Sequence, residues 1–321
     1  MFKLIVMGLL GCLSMGLHAA EWRSLTLDND LFIEQDDGYT NGLYIAQYEI
    51  GRDENTPSHG LLLKPFSSLI DTDSAQFAVN TTTLGQTMIT PDDITLEVPD
   101  ENDIPYSGLL FLSNTYIKGQ DNVADKYGFT LGILGPASGA EQAQKFVHKN
   151  VDADDPKGWD YQLKNELVFQ FDRGRIWRHW LGQESKNTDM VFLTDLSLGT
   201  IETSIATSAF FRFGQNLQYT YITPSLHSNR TTNPIAVGGG WFGYVGLRAK
   251  YLARQIFVDG NTFRDDSPSA ELDHSQFSLS LGATYSWQNY SLSFALESSH
   301  VFEDNPEGVT RYGSLTFAWK R

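Results

Sequence analysis

Cysteine, basic charge and long apolar runs are all scarce in this chain. Cys12 is the only cysteine among 321 residues, so a chain without its first 20 residues has neither a disulfide nor a thiol nucleophile. There are 23 Lys and Arg against 39 Asp and Glu, and the net charge is -16. That balance argues against a nucleic-acid partner, which requires a basic surface. After the first 20 residues, no apolar run approaches the about 18 residues of a membrane-spanning helix.

Residues 1–20 have the features of a secretory signal peptide. Lys3 gives a positive start, an apolar stretch follows, and small residues lead to Ala20. We therefore predict cleavage near Ala20 and a single outer-membrane β-barrel domain over residues 21–321. The sequence Leu9-Leu10-Gly11-Cys12 also resembles a lipoprotein cleavage box, so lipidation of Cys12 is an alternative.

Aromatic residues are plentiful, with 7 Trp, 14 Tyr and 20 Phe, and apolar residues alternate with small polar ones. The clearest case is residues 276–287, and residues 290–297 and 314–319 follow the same pattern. Alternation over segments of about ten residues in an exported, aromatic-rich chain is typical of a transmembrane β-barrel. A soluble β-sandwich has the same periodicity. Aromatic residues near the segment ends and small residues on the polar face favour the barrel.

The chain contains enough alternating segments for an all-β fold, a 12-stranded antiparallel transmembrane barrel. The predicted strands cover residues 22–32, 40–50, 76–87, 107–118, 125–134, 160–172, 189–200, 204–214, 241–256, 275–287, 290–302 and 310–320. An even count places both chain ends in the periplasm and makes residues 33–39, 88–106 and 135–159 extracellular. Residues 215–240 would then be an unusually long periplasmic connection, and 201–203 an unusually short outer one.

A short helix is predicted in the third extracellular loop, over residues 138–149. Ser138 as N-cap and Glu141 three positions later form a capping-box pattern. Glu141, Gln144 and His148 would share one face of this helix because they are three and four residues apart.

The first hairpin carries polar residues where its strands meet an acidic loop. Asn29 and Asp30 end the first strand, although both residue types disfavour strand structure, and Thr40 begins the second. All three are predicted at the outer rim, as is His148. A His base with a nearby carboxylate and amide is sufficient for ester hydrolysis by an activated water. The chain has no G-x-S-x-G elbow and no H-E-x-x-H motif.

A series of short motifs occurs along the chain, and their order is as informative as their residues. They are Asn29-Asp30, Asp37-Gly38-Tyr39-Thr40-Asn41-Gly42, Gly85-Gln86, Thr90-Pro91, Pro105-Tyr106-Ser107-Gly108, Gly135-Pro136 through Gln144 and His148, Gly158-Trp159, Gln162-Leu163, Gly214-Gln215-Asn216-Leu217 and Asp259-Gly260-Asn261-Thr262. Taken together, these motifs resemble the LpxR family, the outer-membrane lipid A 3′-O-deacylases.

The resemblance implies a calcium-dependent hydrolase of the bacterial outer membrane that releases the 3′-linked acyl group of lipid A. It implies that His148 is the general base and that Thr40 supplies an essential hydroxyl. Asn29 and Asp30 match a polar pair beside the base that assists the water, the oxyanion or the calcium. Gln144 matches a motif position and could orient His148. Calcium would be bound through Asp30. We expect a monomer whose partners are lipid A, or lipopolysaccharide, and the membrane.

One departure from the family concerns substrate binding. The family resemblance leads us to expect a lysine after the third strand that binds a lipid A phosphate, but residues 87–103 contain no Lys or Arg. An inactive or porin-like barrel is therefore an alternative, and Arg248, Lys250 and Arg254, which share one strand face, could line its channel. A barrel phospholipase is a further alternative. That activity requires a Ser nucleophile near a His base, and no motif in the sequence indicates such a pair.

Overall fold

The computed structural model describes residues 20–29, 41–52, 54, 56–70, 75–151, 154–182, 186–220, 239–300 and 309–321. These residues form twelve strands, β1 to β12. Their bounds are Ala20–Asn29, Asn41–Arg52, Phe77–Ile89, Ser107–Gln120, Val123–Leu134, Glu166–Trp180, Thr188–Gly199, Glu202–Gly214, Gly240–Gln255, Ser275–Trp287, Tyr290–His300 and Val309–Lys320. Two helices lie in connections, α1 at Ala140–Val151 and α2 at Ile256–Asp259.

Each strand pairs with its neighbours in the chain, and β1 pairs with β12, so the sheet closes into a barrel. All these pairings are antiparallel, as the register of β1 with β2 and with β12 illustrates. The predicted fold class and strand count are therefore confirmed. We call the rim at the ends of β1, β3, β5, β7, β9 and β11 the upper rim, and the opposite rim the lower rim.

Strand β6 differs most from its prediction, because it covers Glu166–Trp180 rather than 160–172. The second half of β6 has charged residues, Arg173 and Arg175, at outward positions. These charges interrupt the alternation of apolar and polar residues from which strands were predicted. Asp125 compensates these charges, with an oxygen 2.6 Å from Arg173 Nη2 and 3.7 Å from Arg175 Nη1. The Arg173 guanidinium also lies 4.3 Å from the ring centroid of Tyr127.

On β10 the wall has an apolar outer face and a polar inner face, as the alternation predicts. On β10, Phe277, Leu279 and Leu281 are exposed, whereas Ser278 and Ser280 between them are buried. None of the helices in the described part of the chain is long and apolar enough to cross a membrane.

The lumen contains an apolar layer near each rim. The lower layer consists of inward side chains of β3 to β9 and Leu217, namely Val79, Ile117, Ala124, Ile176, Val191, Leu193, Phe210, Leu217, Phe242 and Tyr244. The upper layer combines wall residues with loop residues, namely Tyr44, Leu109, Phe111, Leu134, Leu163, Val168, Ile201, Ile256 and Phe257. These packed layers give no support to a conducting pore.

Between these layers the lumen is charged, and several of its charges are paired. Lys126 Nζ lies 2.9 Å from Asp195 Oδ1, and Lys250 Nζ lies 3.0 Å from Glu202 Oε2. Arg254 donates to the carbonyl oxygens of Thr200 and Gly260, so it fastens a connection at the upper rim. Two of the three predicted inward cations, Lys250 and Arg254, thus make structural contacts within the lumen.

The unusual connections on either side of β8 are also present. Strands β7 and β8 are joined by residues 200–201 alone, and a long connection follows β8 at the lower rim. The first part of that connection turns back into the barrel, where Leu217 is fully buried in the lower apolar layer. Most of the rest, residues 221–238, lies outside the described residues.

A second lower-rim segment, residues 56–70, packs on the outside of the wall. It contains a 3-10 helix, Leu61–Leu69, in which Leu63 is buried beside Tyr116 and Tyr127. Tyr116 Oη donates to the carbonyl oxygen of Pro57 at 3.2 Å. Sequence analysis missed this element because its residues show no regular apolar period.

Candidate functional site

Helix α1 lies against the outer, lipid-facing side of the wall at the upper rim. Gly108 on β4 has the same parity as the exposed Leu112, so it faces outward, and its strand partner Met88 does too. A side chain at Gly108 would overlap the Cβ of Ala140 and the Oγ of Ser138. The missing side chain at Gly108 therefore lets the start of α1 pack directly on the strand.

The helix begins differently from the predicted capping box. Pro136–Ser138 forms a short 3-10 turn, Gly139 takes a left-handed conformation with φ of 74°, and α1 starts at Ala140. Glu141 does not cap the helix but lies 2.8 Å from Lys145 Nζ in an i,i+4 ion pair. Gln86 Nε2 donates to the Ser138 carbonyl oxygen at 2.6 Å and ties the turn to β3. The position of α1 therefore depends on wall contacts.

The sheet register brings polar residues of the first hairpin into the same row as this contact. Asn29 on β1 pairs with Asn41 on β2, Asn41 with Met88 on β3, and Met88 with Gly108 on β4. Asn29 shares the parity of the exposed Leu27, so the row faces the lipid. This strip of the outer wall thus has two adjacent amides at one end and the start of α1 at the other, and we call the strip the groove.

His148 lies in the last part of α1 and is partly exposed. Its Nδ1 lies 2.6 Å from the carbonyl oxygen of Asp154. Since a carbonyl oxygen only accepts, Nδ1 carries a proton and donates it to this bond. The neutral imidazole then has its lone pair on Nε2, which is the form that a general base requires.

Gln144 occupies the helical turn before His148 and contacts a different residue from the expected one. It is 2% exposed, and its Oε1 accepts a hydrogen bond of 2.7 Å from the indole Nε1 of Trp159. Trp159 is 1% exposed and packs with Tyr106, Met88 and the start of α1. The expectation that Gln144 orients His148 has no support in these contacts, because the Asp154 carbonyl orients His148.

The acidic loop of residues 90–106 uses its carboxylates to stabilise its own backbone. Asp103 accepts from the backbone N–H groups of Asp92 and Ile104, and burial raises the pKa of its carboxyl group. Asp93 accepts from the backbone and hydroxyl of Thr95, which lower its pKa. The loop joins the site through Ile94, whose carbonyl oxygen accepts from Lys157 N at 3.0 Å.

Two of the predicted site residues, Asp30 and Thr40, lie outside the described residues, as do residues 1–19 of the predicted signal peptide, whereas Ala20 begins β1. Asn29, Gln144 and His148 are described, and all belong to the wall or helix that bounds the groove. Sequence reasoning did not assign roles to Trp159 and Asp154. The sequence offered one signal, a Gly-Trp pair in an otherwise polar loop.

The donor types around the groove suit calcium. Calcium prefers carboxylate and amide oxygens, and Asn29 and Asn41 are paired in the register. Asp30 follows Asn29 directly in the sequence. Within the described ranges there is no group of three or more His, Cys, Asp or Glu residues that could bind a metal.

The close contact at Gly108 leads to a first prediction. Gly108→Val should displace the start of α1 while the barrel still forms, because the new side chain meets the helix rather than the strand ladder. Since about 1 Å of misplacement can cost about a hundredfold in rate, we expect activity at the groove to fall by about that factor. The rate of ester hydrolysis measures activity. The shift in gel mobility between unheated and heated samples shows whether the barrel is folded.

Ala283→Val is the matched control, because it also enlarges an outward side chain but lies on the exposed face of β10. It should leave hydrolysis unchanged. Full activity in Gly108→Val would show that α1 does not need this contact.

The chain matches a family model, and its fold is similar to that of solved structures. The family model described as "Outer membrane protein LpxR" matches residues 4–321. The structure of LpxR from Salmonella typhimurium is similar with a TM-score of 0.71 at 13% identity, covering 93% of this chain and 99% of that chain.

Two autotransporter domains are less similar. The β domain of Bordetella BrkA has a TM-score of 0.44 at 10% identity, covering 94% of this chain and 98% of its own. The NalP translocator domain of Neisseria meningitidis has a TM-score of 0.40 at 10% identity, covering 99% of this chain and 93% of its own. Neither carries an argument about function. No curated protein matches the chain in sequence.

Proposed function

Because the chain belongs to the LpxR family of outer membrane proteins, we propose that it is a lipid A 3′-O-deacylase. The observation that carries this proposal is the packing of α1 on the lipid-facing wall, together with the bond that fixes the His148 imidazole on that helix. The upper rim is then the extracellular rim, and the groove opens to the outer leaflet, where lipid A resides.

Hydrolysis needs a water, a base and a place for the developing oxyanion. His148 Nε2 takes a proton from the water as the water oxygen attacks the ester carbonyl carbon. The protonated imidazole then returns the proton to the departing sugar oxygen. The products are the free fatty acid, or acyloxyacyl acid, and lipid A with a free 3′-hydroxyl group. The Asp154 carbonyl keeps Nδ1 as the donor and stabilises the imidazolium.

Calcium is part of this proposal. Asp30, with the amide oxygens of Asn29 and Asn41, would hold the ion, and Thr40, which directly precedes Asn41 in the sequence, would supply a hydroxyl. When bound, the ion supplies positive charge for the ester oxyanion.

Substrate binding would combine apolar and cationic contacts. Leu25, Leu27, Leu43 and Ile45 are exposed on the wall beside the groove and could contact acyl chains. The expected lysine is missing from the 90–106 loop, but Lys149 and Lys157 are exposed near α1. We infer that these two lysines contact a lipid A phosphate.

Expression of the full chain in a Gram-negative host with hexa-acylated lipid A tests the proposal. We expect mass spectra of the extracted lipid A to show loss of the 3′-linked acyl group. Unchanged spectra, with the protein folded in the outer membrane, would contradict the deacylase assignment.

Calcium removal is a separate prediction for the purified protein in detergent. Excess EGTA should abolish acyl release, and added calcium should restore it, because the oxyanion would lose its counter-charge. Magnesium serves as the control, since it binds reluctantly to sites that need dehydration, and it should not restore the rate. Full activity in EGTA would remove calcium from the proposal without removing the deacylase.

A further inference from the structure

The buried Gln144 amide has a fixed orientation. Indole nitrogen is a donor only, so the Trp159 Nε1–H group requires the oxygen, rather than the nitrogen, of Gln144 to face it. The Gln144 Nε2 group therefore points away from Trp159. Among the described residues this Nε2 has no hydrogen-bond partner, although it is buried. An unpaired buried donor is costly, so a structure normally retains one only where something else binds it.

The orientation of the His148 imidazole, one helical turn later, is also fixed, but this ring presents an acceptor where Gln144 presents a donor. Its Nδ1 donates to the Asp154 carbonyl, which leaves Nε2 as an acceptor. Side chains at i and i+4 of a helix are neighbours, with Cβ atoms about 5–6 Å apart. A donor and an acceptor at this spacing can be bridged by one water molecule.

We propose that Trp159 and the Asp154 carbonyl are positioning groups, which hold Gln144 and His148 as the matched donor and acceptor for the attacking water. The inference rests on the proposed function and adds to it the residues that set water orientation. Gln144 Nε2–H donates to the water oxygen, and a water hydrogen is donated to His148 Nε2. The remaining lone pair of the water oxygen then attacks the ester carbonyl carbon.

Trp159→Phe tests the proposal, because it removes the indole N–H and keeps an aromatic ring in the packed cluster. Released from this bond, the Gln144 amide can flip, and we expect kcat for acyl release to fall about fivefold to tenfold with KM unchanged. Gln144→Leu should lower kcat about tenfold to a hundredfold. In the Gln144→Leu background, Trp159→Phe should have no further effect, because the two residues act through one amide.

Trp180→Phe is the matched control. Trp180 also donates its indole N–H to a side-chain amide, Asn122 Oδ1 at 3.2 Å, but at the lower rim. This variant should retain the wild-type kcat. Unfolding midpoints of all four variants, measured in the same detergent, show whether each variant is folded.

Three results would overturn the proposal. They are an equal kcat loss for Trp159→Phe with and without Gln144, a loss confined to KM, and no loss at all. The wild-type protein is assayed first, since absence of any acyl release would instead contradict the proposed function. Given wild-type release, the kcat comparison tests the positioning role alone.

Discussion

His148→Ala should abolish acyl release while leaving the barrel intact. The imidazole is partly exposed on α1 and is held by one bond to the Asp154 carbonyl oxygen, so little packing is lost. General bases contribute about 10²–10⁴-fold to rate, and we expect kcat to fall within that range. The measurement is the initial rate of fatty acid release from lipid A in mixed micelles.

His274→Ala is a close control for this variant. His274 Nδ1 also lies 2.6 Å from a backbone carbonyl, that of Leu252, and its ring stacks on Tyr251. It lies at the upper rim between β9 and β10, on strands that do not border the α1 groove. We expect wild-type activity from His274→Ala. Equal losses in the two variants would mean that His148 is not the base.

Asp189→Ala should cause the largest loss of stability that we anticipate. Asp189 is 0% exposed and binds two buried guanidinium groups. Its Oδ1 accepts from Arg212 Nε at 2.8 Å, and its Oδ2 contacts Arg212 Nη2 and lies 3.3 Å from Arg178 Nε. Removing the carboxylate leaves these buried cations without their counter-charge, which typically costs about 3–5 kcal/mol. Urea unfolding of the refolded barrel measures the change.

Two further variants make the stability result interpretable. Asp189→Asn keeps one oxygen acceptor and should lose less stability than Asp189→Ala. Asp266→Ala breaks an exposed pair with Arg264, 2.9 Å apart, and should not measurably shift the unfolding midpoint because exposed pairs contribute little. An unchanged midpoint in Asp189→Ala would mean that the lumen cations are stabilised by other groups.

Much of the barrel follows from local alternation. The predicted segment 275–287 coincides with β10, because its outward Phe and Leu residues and inward Ser residues obey a strict period of two. On β6 the outward residues change from Phe171 to Arg173 and Arg175, and the prediction ended the strand there. Ion pairing with Asp125 on the neighbouring strand allows the strand to continue, and a single segment cannot reveal that pairing.

The groove depends on contacts between segments far apart in the chain. Sequence analysis placed a helix at the upper rim, but not on the outer side of the wall. That position requires Gly108, Met88 and Ala140 to meet, which follows from the β3–β4 register. Gln144 was identified through the family resemblance, whereas its bond to Trp159 depends on how residues 154–165 fold back on α1.

The proposed site is thus anchored by groups that no single motif contains. Asn29 and Asn41 come from adjacent strands, His148 from α1, and its orienting carbonyl from Asp154. Asn29 and Asn41 share the outward row because of the β1–β2 register, and α1 packs at the other end of that row, on Gly108. The strand register of β1 to β4 therefore determines both the barrel wall and the positions of the proposed site residues on it.

Tandem mass spectrometry of lipid A treated with the purified protein tests this account most directly. A hexa-acylated lipid A of defined structure is incubated with calcium and either the wild-type or the His148→Ala protein, and fragment ions locate the missing acyl group. The account predicts loss of the 3′-linked group with the wild type and intact lipid A with the variant. Loss from another position, loss that persists in His148→Ala, or no loss with the folded wild-type protein would contradict it.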